Sequence, residues 1–314
     1  MTDAGIVVAI GGNALSPEGE EGTVAEQFRH VRESLGEVVQ LAAEGWKIVI
    51  VHGNGPQVGN DLARQEIARS QIPPLPLGLL VAGTQGWIGY MIQQSLQNAL
   101  ADAGVERRVV TLVTQILVDQ DDPALATPDK PIGRTMGEER AKALAADLGW
   151  HIAPVSGGWR RVVPSPRPLG TIEHRMIATL FAEGHLVVAS GGGGVPVYRT
   201  AGDRIEGMDA VVDKDRAAAV LGLDIGADVL LILTDIDAVY TGYGTPRQER
   251  IARLDLHGAE ALIASGELGA GSMAPKVEAA MRFVREGGDR AIITRLDLGG
   301  EGVAGEAGTE IVAG

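Results

Sequence analysis

Three short apolar runs in this chain each end in a cluster of glycines, and that pattern constrains the fold more than any other feature. Ile6-Val-Val-Ala-Ile10 runs into Gly11-Gly12-Asn13, Lys47-Ile-Val-Ile-Val51 into His52-Gly53-Asn54-Gly55, and Leu186-Val-Val-Ala189 into Ser190 and Gly191–Gly194. Short apolar runs bounded by turn residues read as buried strands. Strands buried on both faces belong to a parallel sheet covered by helices. In an open α/β sheet, ligands bind beyond the carboxyl ends of the strands. Glycine there lets backbone N–H groups approach an anion closely, and a following helix N-terminus adds a favourable dipole. One such cluster is explained by turn chemistry alone. Three of them, each after a buried strand, predict a cradle for a polyanion.

Helical periodicity fills the gaps between the runs. Thr23-Val-Ala-Glu26 has the spacing of a capping box. Behind it Val24, Phe28, Val31, Leu35, Val38 and Ala42 recur at helical intervals, and Gly45 stops the helix. A long helix is expected from Gly83 to Ala103, carrying Trp87, Tyr90, Met91, Gln94 and Leu96. Further strands are expected at 109–113, 229–233 and 291–294, with helices at 215–223, 258–265 and 275–286. A last edge strand is expected in Gly308–Val312. From Asp119 to Pro168 the texture changes to Pro, Asp, Gly and Arg, with one short amphipathic helix near Glu138–Leu148. An irregular connection of that length is foreign to a compact core. Residues 119–168 therefore read as an inserted lid with few buried apolar contacts, on a single domain spanning 1–314.

Composition narrows the partners. With 314 residues, 45% of them hydrophobic, the chain is long enough for one large α/β domain. Aromatic residues make up only 4%, so the core must be mostly Val, Ile, Leu and Ala. The formal charge of -14 disfavours nucleic acid and anionic membranes, so a nucleotide needs a local positive site. Without cysteine, disulfides and thiolate chemistry are excluded. No basic leader or long apolar segment stands at the start, so a cytoplasmic protein is expected.

Only five of the 27 basic residues are lysine, and three of those occupy Gly/Pro/Asp-rich contexts: Lys130, Lys214 and Lys276. Lysine is a compact point charge on a flexible stem, suited to following a phosphoryl group as its charge moves, whereas arginine is a planar fork. Lys276 follows Pro275, a favoured first-turn residue, and Lys214 also stands where a helix begins. Cations in a first turn oppose the macrodipole by about 0.3–1 kcal/mol each, which makes sense if a phosphate lies between them. Asp213 and Asp215 flank Lys214, and either could orient the ammonium groups or hold Mg²⁺. Asp215 reads equally well as a plain N-cap. The Walker A pattern is absent, and Gly53-x-Gly55-x-x-x-Gly59 misses the dinucleotide fingerprint by one residue. The histidines show no metal-ligand spacing, and only His52, directly before Gly53, stands beside a candidate site.

In combination, several motifs resemble the carbamate kinases of the amino-acid-kinase superfamily, from one end of the chain to the other. They are Ala9-Ile-Gly-Gly-Asn-Ala-Leu15, His52-Gly-Asn-Gly-Pro-Gln-Val-Gly59, Gln85-Gly-Trp-Ile-Gly-Tyr-Met91, Pro128-Asp-Lys-Pro-Ile-Gly133, Arg160-Arg-Val-Val-Pro-Ser-Pro166, Gly191-Gly-Gly-Gly-Val-Pro196, Val212-Asp-Lys-Asp215 and Gly271-Ser-Met-Ala-Pro-Lys276. The resemblance implies a three-layer αβα sandwich around a mainly parallel open sheet, a small protruding lid subdomain and a homodimer. It implies reversible phosphoryl transfer between ATP and carbamate, giving ADP and carbamoyl phosphate, with Mg²⁺. By position, Lys214 and Lys276 would neutralise the transferring group, Asp215 would orient them, and Lys130 would reach in from the lid. Gly11, Gly12, Asn13, Gly53 and Asn54, with Gly191 and Gly192, would hold the carbamoyl phosphate end. Thr234, Asp235, Asp237, Tyr240 and Met273 would border the ribose and adenine. The metal ligands stay unassigned.

The chain departs from the family pattern in three places. Gly133 is followed by Arg134-Thr135 where the family has Pro-Phe, Pro154-Val-Ser-Gly157 stands where an Asp and an Arg are usual, and Ala274 replaces a usual Gly. Two rival readings share the fold: a kinase of another small carboxylate, and a non-catalytic nucleotide-binding protein. The first usually carries a lysine beside the first glycine pair, where this chain has Val8, Ala9 and Ile10. The second should have lost the lysines.

Overall fold

The strand Gly5–Ile10 is buried at every position and lies in the middle of an eight-stranded sheet. In a computed structural model of the chain, residues 3–12, 15, 17, 20–268 and 273–314 are described. The sheet order is Arg253–Asp255, Thr309–Val312, Arg290–Arg295, Val229–Thr234, Gly5–Ile10, Lys47–His52, Leu186–Val188 and Val109–Thr111. Every pairing is parallel except that of Arg290–Arg295 with Thr309–Val312.

Side chains alternate across a pleated strand, so each central strand feeds two cores. Val7 and Ala9 pack with the layer of helices His174–Ala182, Lys214–Ile225, Leu256–Ala264 and Ala274–Arg285. Ile6, Val8 and Ile10 pack with Val24–Ser34, Gly36–Glu44, Leu77–Asp102 and Gly299–Ala304 on the other face. The expected αβα sandwich around a mainly parallel sheet is therefore what the chain forms. The core is aliphatic, as the scarcity of aromatics requires. Its one fully buried phenylalanine, Phe283, fills a notch left by two glycines: a Cβ on Gly222 would sit 2.8 Å from its ring, and one on Gly288 would overlap it.

Several boundaries differ from those read in the sequence. The Thr23–Glu26 capping box is present, but the single helix expected behind it is two helices that meet at Leu35. Gly36 opens the second, and Gly45 ends it at a φ of 98°. The long helix begins at Leu77 rather than Gly83, directly after Pro76 in extended conformation. Its first turns bury Leu77, Leu80 and Val81. The final strand, Thr309–Val312, is not at the edge. The edge is Arg253–Asp255, whose three residues are too short to show a pattern.

The 119–168 segment holds more order than its texture announced. Lys130–Met136, Gly158–Val163 and His151–Val155 form a separate antiparallel sheet, with the expected helix Glu138–Leu148. Pro131, Gly133 and Pro154 hid these strands, and the register shifts between Ile132 and Met136. The expectation of few buried apolar contacts fails at the base of the segment. Ile132 and Val163 join Val58, Leu62, Leu77, Leu80 and Val81 in a satellite core against helix Gly55–Ala68. The charged ties Arg140–Glu66, at 3.1 Å, and Arg69–Asp147 continue the seam along the same helix.

Truncating this fully buried phenylalanine tests the sandwich. Phe283→Ala should cost about 3–5 kcal/mol of stability. A urea titration would read this as a lower midpoint at unchanged slope.

Candidate active site

Helices Lys214–Ile225 and Ala274–Arg285 both turn their first residues toward one cleft of about 310 Å³. The first is capped by Asp213, whose Oδ1 accepts from the N–H of Asp215 at 3.0 Å and of Arg216 at 3.3 Å. Asp215 is thus no N-cap. It sits in the first turn, 2% exposed, and its two oxygens face two lysines. Lys214 Nζ donates to Oδ1 and Lys276 Nζ donates to Oδ2 at 3.1 Å. The lysine side chains are 15% and 14% exposed. Lys130, the first residue of its strand, reaches across and donates to Asp213 Oδ2 at 2.8 Å.

Burial alone pushes the Asp213 carboxyl up. The Lys130 ammonium and its hydrogen bond, with Lys214 and the Arg216 N–H, outweigh that and hold it well below the usual carboxylate range. Three ammonium groups against two carboxylates leave one formal positive charge, at the positive ends of two helix dipoles. The cleft is therefore built for an anion inside an acidic chain.

The glycine loops form the opposite wall, where Gly12, Gly53, Asn54 and Gly192 line the cleft. Their packing is tight for reasons besides ligand approach. A Cβ on Gly53 would lie 2.5 Å from the Gly12 nitrogen, and Gly192, at a φ of +64°, abuts the Asn54 amide. Asn54 is itself held by Nδ2 donating to Thr84 Oγ1 at 2.9 Å. Gly11 ends just short of the cleft, and Gly191 is buried behind it against His52. Asn13 lies outside the described residues, as do Gly271 and Ser272.

The residues expected around ribose and adenine are not part of this cleft. Thr234, Asp235, Asp237 and Tyr240 stand at or beyond the end of strand Val229–Thr234. Thr234 donates to Asp235 at 2.9 Å, and the Tyr240 hydroxyl donates to Asp237 at 3.0 Å. Met273, 9% exposed, packs into the core beneath the second helix. The apolar part of the wall, Val58, Ile132, Val211 and Val212, escaped the sequence reading. Val58, Ile132 and Val212 fall inside the motifs that carry the family resemblance, but their residue type alone does not distinguish them from ordinary core.

His52 backs the site as a neutral imidazole. It is 1% exposed, and its Nδ1 lies 2.9 Å from the Gly53 carbonyl. Burial depresses its pKa to about 4.

A parallel sheet whose strand-end loops face three lysines defines a protein class that holds a phosphorylated small molecule beyond the carboxyl ends of its strands. The chain belongs to the amino acid kinase family, whose sequence profile matches residues 5–295. It is 44% identical to the carbamate kinase of Pyrococcus horikoshii over 98% of each chain. It is 45% identical to the carbamate kinase of Halobacterium salinarum over 98% of this chain and 97% of the relative. The solved carbamate kinase of Giardia lamblia bound to AMP-PNP superposes with a TM-score of 0.91 at 38% identity, covering 98% of each chain. The family read from the motifs is the one the comparisons give.

The buried histidine makes stability depend on pH. Its folded pKa lies below the unfolded value, so the unfolded chain takes up the proton first. The stability tied to neutral His52 is complete above about pH 6.5 and drains away as pH falls toward about 4. Between about pH 7.5 and about pH 5.5 this amounts to about 1 kcal/mol. Urea midpoints of the wild type should fall over that range by more than those of His52→Gln.

Proposed function

We propose that this protein transfers a phosphoryl group reversibly between ATP and carbamate, giving ADP and carbamoyl phosphate. Its family makes it a kinase, a phosphotransferase, and the relatives from Pyrococcus horikoshii, Halobacterium salinarum and Thermoplasma volcanium, at 40–45% identity over 98% of this chain, are named carbamate kinases. The observation that carries the reading is the convergence of Lys214 and Lys276 on the buried Asp215, across the cleft from Gly12, Gly53 and Gly192.

The mechanism follows from that arrangement. A carbamate oxygen forms the new P–O bond while the bridging bond to the β-phosphate of ADP breaks, so no covalent enzyme intermediate is required. The chain supplies position and charge. Backbone N–H groups of the loops at Gly11–Gly12, Gly53–Asn54 and Gly191–Gly192 hold the carbamoyl phosphate end. Lys214 and Lys276 meet the charge on the transferring group, and Asp215 keeps the two ammonium groups apart and aimed. Thr234, Asp235, Asp237, Tyr240 and Met273 border the nucleoside. The 119–168 segment acts as a lid that brings Lys130 to the same group and excludes water.

Mg²⁺ is part of this reading. Among the described residues no cluster of three metal-ligating side chains occurs, and both cleft carboxylates already carry ammonium partners. That donor set fits an ion carried in on nucleotide phosphates rather than caged by protein. Asp215, whose oxygens each take one ammonium, keeps acceptor capacity to help hold it. When bound, the ion neutralises charge on the β- and γ-phosphates. The cytoplasm is the compartment this reading assigns; among the described residues no helix is long and apolar enough to cross a membrane.

A coupled assay of ATP formation from ADP and carbamoyl phosphate, with acetyl phosphate as control, tests the function. Turnover with acetyl phosphate alone would point to another carboxylate kinase. Lys214→Ala and Lys276→Ala should each lower kcat by about 100- to 1,000-fold with a much smaller change in KM. Near-normal kcat in both would remove the assigned roles.

A homodimer completes the proposal. Helix Leu77–Asp102 exposes Leu79, Gly83, Gly86, Tyr90 and Gln94 as one stripe at helical spacing, with Leu79 56% and Tyr90 57% exposed. Aromatic residues are enriched at such contacts. Light scattering should give twice 32.7 kDa, and a monomer at micromolar concentration would return the stripe to plain surface.

A further inference from the structure

The two carboxylates of the cleft divide its lysines between them. Asp215 takes Lys214 and Lys276, and Asp213 takes Lys130. These tasks are not equivalent. Lys214 and Lys276 rise from helices that pack against each other, so their stems are placed by the core. Lys130 rises from the separate 119–168 segment, and its side chain is 39% exposed, against 15% and 14% for the other two. A lysine stem that is exposed retains most of its rotamer freedom unless its ammonium is fixed.

Asp213 does the fixing, and it is itself rigidly placed. Its Oδ1 is committed to the N–H groups of Asp215 and Arg216, which leaves Oδ2 as the anchor for Lys130 at 2.8 Å. One side chain therefore joins the first residue of the lid strand to the first turn of the helix that carries Lys214 and Asp215. The pair also stands between two cavities. Lys130 and Asp213 line both the cleft and a second cavity of about 630 Å³ whose charged residues include Asp122, Arg167 and Arg216. Releasing the pair would free Lys130 to swing toward Asp122 or Asp129 on that outer side.

We propose that Asp213 is a positioning residue for phosphoryl transfer: by pinning Lys130 to the start of the Lys214 helix, it sets where the lid's ammonium meets the transferring group. The inference rests on the carbamate kinase reading for its chemistry, while the tether itself is geometric.

Asp213→Asn separates the two jobs of this side chain. Asn caps a helix as well as Asp, so the thermal midpoint should hardly change, but the charge that fixes Lys130 is gone. Misplacing a reacting group by about 1 Å can cost on the order of 100-fold in rate. The variant should lose about 10- to 100-fold in kcat/KM for carbamoyl phosphate, with the KM for ADP little changed. Backbone amides of residues 132–136 should exchange faster with solvent. In a Lys130→Ala background, Asp213→Asn should cause no further loss, because residues acting through one contact are not additive. Wild-type kcat/KM and exchange in Asp213→Asn would overturn the proposal. So would a loss undiminished by Lys130→Ala, which would give Asp213 a role of its own, such as holding Mg²⁺. Should the wild type make no ATP from carbamoyl phosphate, the functional reading falls. The exchange comparison needs no substrate and still decides the tether: faster exchange upholds it and equal exchange ends it.

Discussion

The site depends on one buried carboxylate. Asp215 is 2% exposed, and an ionised group in that position is tolerable only if it is fully paired. Lys214 and Lys276 supply the pairing from two different helices, so the same contact that satisfies Asp215 also locks those helices' first turns together. Arg216 and Glu278, 2.6 Å apart, repeat the tie on an outer face. Each lysine alone would oppose its helix dipole, and together they would repel. The carboxylate offsets both effects without neutralising the cleft, because one negative charge faces two positive ones, while the Lys130–Asp213 pair adds no net charge. On the proposed reading, the remaining charge would meet an incoming phosphoryl group on stems already placed by the two helices. Such preorganisation is what electrostatic catalysis asks of a site.

Opposite these lysines, the wall is made rigid by backbone contact. Gly53 lies against Gly12, Gly192 against Asn54, and Gly191 against His52. Three strand-end loops thus interlock, and a side chain at Gly53, Gly191 or Gly192 would pry them apart. The clusters that drew attention in the sequence as an anion cradle are equally a packing solution. The two explanations are linked, since N–H groups can be aimed at one point only if the loops that carry them are held in register.

What the sequence made legible follows from period and spacing. Buried strands of the main sheet, the Thr23 cap and the Glu138–Leu148 helix were readable because local pattern alone dictates them. The three lysines were readable because their residue type is rare in this chain. The strands of the 119–168 segment were not, because Pro131, Gly133 and Pro154 break the alternation that marks a strand, and tertiary pairing overrides propensity there. Asp213 and Asp215 looked interchangeable, since both flank Lys214. Only the position of the helix start shows that the first caps and the second bridges. Val58 and Ile132 line the cleft without a signal in their residue type, because an apolar wall and an apolar core use the same residues.

The division between arginine and lysine then has a physical reading. Where this chain needs a fixed staple, it uses the guanidinium fork. Arg107 donates to the Gly184 carbonyl and to the Ala42 and Trp46 carbonyls at the end of helix Gly36–Glu44, and Arg290 joins Glu310 to the Val303 carbonyl. A planar group with several donors in set directions suits bonds that never change. In the cleft, bonds must change. On the proposed mechanism, an ammonium that serves a carboxylate at rest would also serve a phosphoryl oxygen when substrate binds, then follow that charge to the other partner. A point charge on a flexible stem can turn through those positions while its carbon stem stays packed, and a fork would lose one of its bonds at each step. Lys130, Lys214 and Lys276 each rest on an aspartate at the edge of the space where a phosphate would sit. The aspartates thus offset the repulsion between these cations and hold them at the edge of the cleft.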